Sequence, residues 1–187
     1  MSSTNRGAER AAHDAYYTPD AVARACVATI PIHVTGTAWE PHAGGGAFVR
    51  ALVPRIGLRC HASDIDPRPI EALNGMTIEP VRANALDGWR SEWGGLPDWI
   101  IGNPPYAEAQ EHIEMALKTA RVGVAFLLRL AFLEGQKRAA FWRAHPCATV
   151  HVLTKRPSFT GSGTDSAAYG FFRWQIGHDG PTTLHHL

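Results

Sequence analysis

Asp98-Trp99-Ile100-Ile101-Gly102-Asn103-Pro104-Pro105-Tyr106 passes from apolar to rigid in a few steps. Residues 98–101 read as a strand. The two prolines then force an extended exit, because proline fixes its own φ and bars helical geometry in the residue before it. Outward from this unit, apolar runs and helical patterns alternate. Strands are predicted at 35–40, 58–63, 77–82, 122–130, 149–153 and 168–176, and helices at 21–29, 47–53, 67–74, 107–120 and 134–144. Such alternation predicts βαβ units and a mainly parallel sheet. The run 122–130 is apolar almost throughout, as a central strand covered on both faces should be. Gly161-Ser162-Gly163-Thr164-Asp165 is too short for a crossover helix, so the last two strands are expected as antiparallel neighbours. The predicted fold class is α/β, with a seven-stranded, mostly parallel sheet and a C-terminal antiparallel hairpin. Local signals agree: Thr18-Pro19-Asp20 reads as a capped helix start, and Asp66 is placed to cap a helix opened by Pro67.

The 187 residues, 45% of them hydrophobic, suffice for one core and are few for two ordinary domains. A flexible segment over 1–15 and a single domain over 16–187 are expected. The formal net charge of +1 announces no basic tail, although a local patch would suffice for nucleic acid. Cys26, Cys60 and Cys147 lie far apart and read as buried, reduced thiols. There is no apolar run of membrane length and no signal-peptide pattern, so a cytoplasmic protein with no membrane partner is expected. The ten histidines show no ligand spacing with cysteines or acids, so no metal is expected. Trp89 and Trp93 read as loop anchors, and His42 is compatible with plain packing.

Four strand ends carry candidate chemistry. Glu40-Pro41-His42-Ala43-Gly44-Gly45-Gly46 is a strand end followed by a glycine turn and a helix start. Gly44 and Gly46 let backbone approach a ligand, and the helix start offers free N–H groups. No Gly-Lys-Ser/Thr ending is present, and Glu40 suits a cationic amine better than a phosphate. Ser63-Asp64-Ile65-Asp66 ends the next strand, where a carboxylate can take both hydroxyls of a ribose. Asn84-Ala85-Leu86-Asp87 either reads the edge of an adenine ring or is a polar turn. In the tetrapeptide neither proline donates a hydrogen bond, so the Asn103 and Pro104 carbonyls and the Asn103 amide are acceptors for a ligand. Acceptors converging on an NH2 group hold its hydrogens in plane and aim its lone pair at an electrophile. Tyr106 can stack on a flat group. Ligands of open α/β sheets bind at carboxyl ends of strands, where all four segments fall.

With these residues the chain resembles the class I S-adenosylmethionine-dependent methyltransferases with an Asn-Pro-Pro-Tyr motif, especially the adenine-N6 DNA methyltransferases. The resemblance covers about residues 16–174 and has the motif order of gamma-type enzymes. It implies a Rossmann-like three-layer sandwich and an S-adenosylmethionine cofactor. Tyr17-Thr18-Pro19 looks like the motif that touches the methionine part, and Glu40 to Gly46 like the first cofactor loop, with glutamate where many members have aspartate. Asp64 matches the ribose-binding acid, and Asn84 falls where many members have an aspartate. The implied cofactor set is therefore Tyr17, Thr18, Glu40, Pro41, Gly44, Gly46, Asp64, Ile65, Asn84, Ala85 and Leu86. Asn103, Pro104 and Tyr106 match the catalytic motif, and Lys155-Arg156-Pro157-Ser158-Phe159 looks like a late motif near the target base. Pro105, Lys155, Arg156 and Phe159 are the implied substrate contacts, with Arg173 a further phosphate candidate. The implied partner is nucleic acid, DNA first, with short or relaxed sequence specificity because no separate target-recognition domain is evident. Such small single-domain versions look like phage or mobile-element enzymes. The rivals are an RNA adenine methyltransferase, a protein glutamine methyltransferase and an inactive cofactor-fold binding module.

Overall fold

The computed structural model describes residues 17–31, 36–55, 57–77, 80–159 and 166–187. Eight strands form one sheet: β1 Gly36–Glu40, β2 Leu58–Asp64, β3 Val81–Arg82, β4 Trp99–Gly102, β5 Gly123–Arg129, β6 Thr149–Val152, β7 Tyr169–Gln175 and β8 Thr183–His186. Their spatial order is β3-β2-β1-β4-β5-β7-β6-β8. Only β7 runs against its neighbours, pairing antiparallel with both β5 and β6. The predicted hairpin is thus present, with β7 inserted between β5 and β6.

Helices cover both faces. They are α1 Asp20–Ala28, α2 Ala47–Leu52, α3 Pro67–Leu73, α4 Ala109–Thr119 and α5 Ala139–Ala144. The two-residue period of strands decides which side chain serves which layer. In β5, Ala125 and Leu127 meet Ala23, Cys26 and Val27 of α1 and Phe48 of α2. Val124, Phe126 and Leu128 face the other way, towards Ile113 and Ala116 of α4 and Phe141 of α5. The strand is therefore apolar along its whole length because both its faces are covered. The three cysteines are buried and free. Trp39 of β1 is buried, donates through Nε1 to Ser63 Oγ at 3.0 Å, and packs edge-on against Trp89 and Trp93. Both loop tryptophans are anchors.

Several local expectations shift. The sheet has an eighth strand, β8, parallel to β6. It was not foreseen because Thr183–His186 is exposed on both faces and shows no apolar alternation. The helix predicted over 134–144 is reduced to α5, preceded by 3-10 turns at Leu130–Leu133 and Gln136–Arg138. Gly135, at φ 107°, interrupts it. A 3-10 turn at Tyr106–Glu108 likewise precedes α4. Asp66 caps α3 as expected, accepting from the Arg68 N–H at 3.0 Å. Thr18 does not cap α1: Pro19 holds the cap position, with no side-chain bond. Expectations for residues 1–16, Thr35, 78–79 and 161–165 fall outside the described residues.

Trp39→Ala is expected to lower stability by roughly 3–5 kcal/mol, the usual range for deleting a buried large aromatic. Urea unfolding measures the loss, and limited proteolysis should show faster cleavage within residues 88–95. Trp93→Ala, which removes a half-buried ring, is expected to cost clearly less.

Candidate active site

The strand order reverses at β1 and β4, and both carboxyl ends open on the same edge of the sheet. After β1 the chain turns through Gly44 at φ 46° and Gly46 at φ 80°, the latter capping α2. These are left-handed values at which a side chain is strained. A Cβ at Gly44 would also stand 3.1 Å from the Tyr17 ring. The turn is braced from β2: the Gly44 N–H donates to Asp64 Oδ2 at 2.7 Å, and the Asp66 N–H donates to Asp64 Oδ1 at 2.8 Å. Burial raises the Asp64 carboxyl above its ordinary range, against the pull of these N–H bonds.

Glu40 ends β1 and is almost wholly buried. Its Oε1 accepts from the His42 N–H at 3.3 Å. Its Oε2 is buried and has no hydrogen-bond partner among the described residues. The carboxylate fills the space in which a Gly102 side chain would lie, so a Cβ there would run into it. The first residue of the glycine motif is thereby packed against the residue before Asn103. Asn103 donates through Nδ2 to Thr18 Oγ1 at 3.1 Å, across 85 residues of sequence. Tyr17, Thr18, His42, Gly44, Phe48 and Asn103 line one open cleft. Pro41 and Pro104 are buried beside it in sequence, and Gly46 is buried at the head of α2.

Beyond the cleft, Tyr106 joins an aromatic group that its sequence did not announce. Its ring centroid is 5.7 Å from that of Tyr169, and the Arg129 guanidinium lies 5.1 Å from the Tyr106 centroid. Arg129 Nε donates to the Tyr169 hydroxyl at 3.3 Å, and Phe159 packs edge-on against Tyr169 at 5.0 Å. Tyr106 and Phe159 thus share one neighbour. Arg129 and Tyr169 were missed. The only sequence signal was an arginine closing an apolar strand at the ligand edge.

Other candidates are less engaged. Asn84 Oδ1 accepts from the Leu86 N–H at 3.0 Å, the polar-turn alternative. Ala85 is buried, whereas Ile65 and Leu86 are exposed. Pro105 is half-buried, and Lys155 and Arg156 are exposed just past β6. Arg173 is half-buried within β7, its backbone paired with Ala125 and Thr149. Among the described residues, no group of three or more His, Cys, Asp or Glu is arranged to hold a metal ion, and no helix is long and apolar enough to cross a membrane.

No protein-family model matches the chain, and no curated protein does. Solved structures do. A predicted O-methyltransferase from Agrobacterium tumefaciens superposes with TM-score 0.64 at 16% identity, over 88% of this chain and 85% of that one. A modification subunit of a candidate type I restriction enzyme from Vibrio vulnificus YJ016 gives TM-score 0.68 at 15% identity, over 89% of this chain but 45% of that one. A candidate RNA methyltransferase from Pyrococcus horikoshii gives TM-score 0.65 at 12% identity, over 86% of each. The chain therefore has the Rossmann-like fold of the class I methyltransferases.

Glu40 yields a prediction with a definite sign. Burial pushes its carboxyl well above the ordinary 4.5; the His42 N–H lowers it and Asp64 raises it further. The folded state therefore holds this proton more tightly than the unfolded chain. The associated stability is complete below about pH 4.5 and is lost as pH rises through the folded value. Glu40→Gln removes this dependence, each unit of displacement being worth about 1.4 kcal/mol. Chemical unfolding across a pH series should show the variant gaining on the native protein as pH rises from about 4.5. Parallel curves would contradict the assignment.

Proposed function

We propose that the chain is an S-adenosylmethionine-dependent methyltransferase acting on the N6 amine of adenine in DNA, with short or relaxed sequence specificity. The observation that carries this reading is the placement of Asn103 in one cleft with Thr18 and Gly44.

The cleft fits the cofactor. The glycine turn offers bare backbone for close approach. The buried, unpartnered Oε2 of Glu40 suits a cationic amine. Asp64 already accepts two N–H bonds, yet a carboxylate has about four lone-pair sites, so ribose hydroxyls can still be received. Asn84 is held by its own turn, which leaves adenine recognition to the walls near Ala85 and Leu86. When bound, the cofactor supplies a methyl group activated by a sulfonium.

The chain's own residues would hold the acceptor nitrogen. A base turned out of its stack reaches such a site. With the Asn103 NH2 donating to Thr18, the carbonyl end of the amide accepts from the N6 amine together with the Pro104 carbonyl. Tyr106 offers a flat stacking surface backed by Tyr169. Alignment and placed dipoles account for the rate, so no general base is assigned. DNA is favoured by the late segment. Phe159 reaches the aromatic group of Tyr106 through Tyr169, and exposed Lys155 and Arg156 suit phosphates.

Labelled S-adenosylmethionine offered to DNA, RNA and protein, followed by nucleoside analysis, tests the proposal. N6-methyladenine from DNA alone is the expected product. Label in RNA alone would move the substrate to RNA, and label on protein glutamine would overturn the nucleic-acid reading. Asn103→Ala should lower the transfer rate at least ~100-fold, as expected for a lost transition-state contact, while cofactor affinity stays within a few fold.

A further inference from the structure

His42 belongs to the glycine turn, lines the cleft, and has no part in the transfer scheme. Its Nε2 lies 3.0 Å from Nδ1 of His112, a residue of α4 that is only 3% exposed. The two rings meet edge-on, and Phe126 holds the His42 ring from a further side. His112 Nε2 is 3.8 Å from the Glu108 carboxylate, just beyond the catalytic tetrapeptide. At the other end, His42 Nδ1 is buried and has no hydrogen-bond partner among the described residues.

The chain of contacts has a direction. Two neutral imidazoles share one proton across a nitrogen–nitrogen contact, and each ring carries one proton in all. Glu108 favours a proton on His112 Nε2, as a carboxylate behind an imidazole does elsewhere. His112 Nδ1 is then the acceptor, and His42 donates through Nε2. His42 Nδ1 is left as a bare lone pair. Burial favours the neutral form of both rings. It lowers His42 further, with His112 adding to the effect, while Glu108 and Glu111 partly offset it at His112.

We propose that His42 is a cofactor-binding residue whose Nδ1 accepts a hydrogen bond from the ammonium of the cofactor's amino-acid moiety, its tautomer set by Glu108 through His112. An imidazole supplies this acceptor without adding a third carboxyl group beside Glu40 and Asp64, where Asp64 already pushes the Glu40 carboxyl up. The proposal rests on the reading of the cleft as a cofactor site.

Calorimetric titration separates the two. The ligands are S-adenosylhomocysteine and an analogue with hydrogen in place of its ammonium. The native protein should bind the ammonium-bearing ligand at least ~10-fold more tightly, as for hydrogen bonds to a charged group. His42→Phe keeps the ring and removes the acceptor. It should cut that preference several-fold and leave affinity for the analogue unchanged. Glu108→Gln, at a side chain 63% exposed, should cut it by a smaller factor, and it carries the test if His42→Phe fails to fold. Equal weakening of both ligands, or an unchanged preference in the folded variants, overturns the proposal and leaves the cleft reading intact. A native protein that binds neither ligand overturns both.

Discussion

The structure depends on a carboxylate standing where a side chain is missing. Glu40 ends β1, its oxygens lie against Gly102 of β4, and any larger residue at Gly102 would collide with them. Burying an acid is costly, and one backbone N–H from His42 offsets only part of that cost. The arrangement ties two loops into one unit. The glycine turn follows Glu40, Asn103 follows Gly102, and their spacing is set by a contact between side chain and backbone inside the sheet. Rigid strands thus fix the site more tightly than loops alone could.

Two aromatic groups flank this unit, one on each face of the sheet. Trp39, His61, Trp89 and Trp93 gather on the face of α4 and secure the loop after β3. Tyr106, Tyr169 and Phe159 gather on the opposite face, with Arg129 over the Tyr106 ring. The first group fastens a loop to the sheet through ring packing, while its two indole hydrogen bonds stay within the sheet, from Trp39 to Ser63, and within the loop, from Trp89 to Gly94. The second lies beside the tetrapeptide and brings together residues from three distant parts of the chain.

What the sequence made legible was local or periodic. The alternation of strands and helices gave the layers. The apolar run through Phe126 gave the central strand, and Asp66 before Pro67 gave a cap. Long-range partners were not legible. Thr18 looks like a helix cap because its neighbours are Pro19 and Asp20; its hydroxyl instead meets an amide 85 residues away. Arg129 reaches Tyr106 because β5 pairs with β4, and Tyr169 because β7 returns between β5 and β6, placements that no local pattern encodes. β8 is held by backbone pairing to β6 with exposed side chains, so the pattern that reveals strands is absent from it.

The wall of the cleft nearest the amino terminus has a thermodynamic character of its own. Tyr17 and Thr18 precede α1, belong to no helix or strand, and are joined to the site by a ring lying on glycines and one side-chain hydrogen bond. Segments with few buried contacts open at a small fraction of the global unfolding free energy. Opening this wall disturbs no pair in the sheet. Opening at 17–18 would break the Thr18–Asn103 bond, so access to the cleft is tied to a local contact and not to the pairing of the sheet.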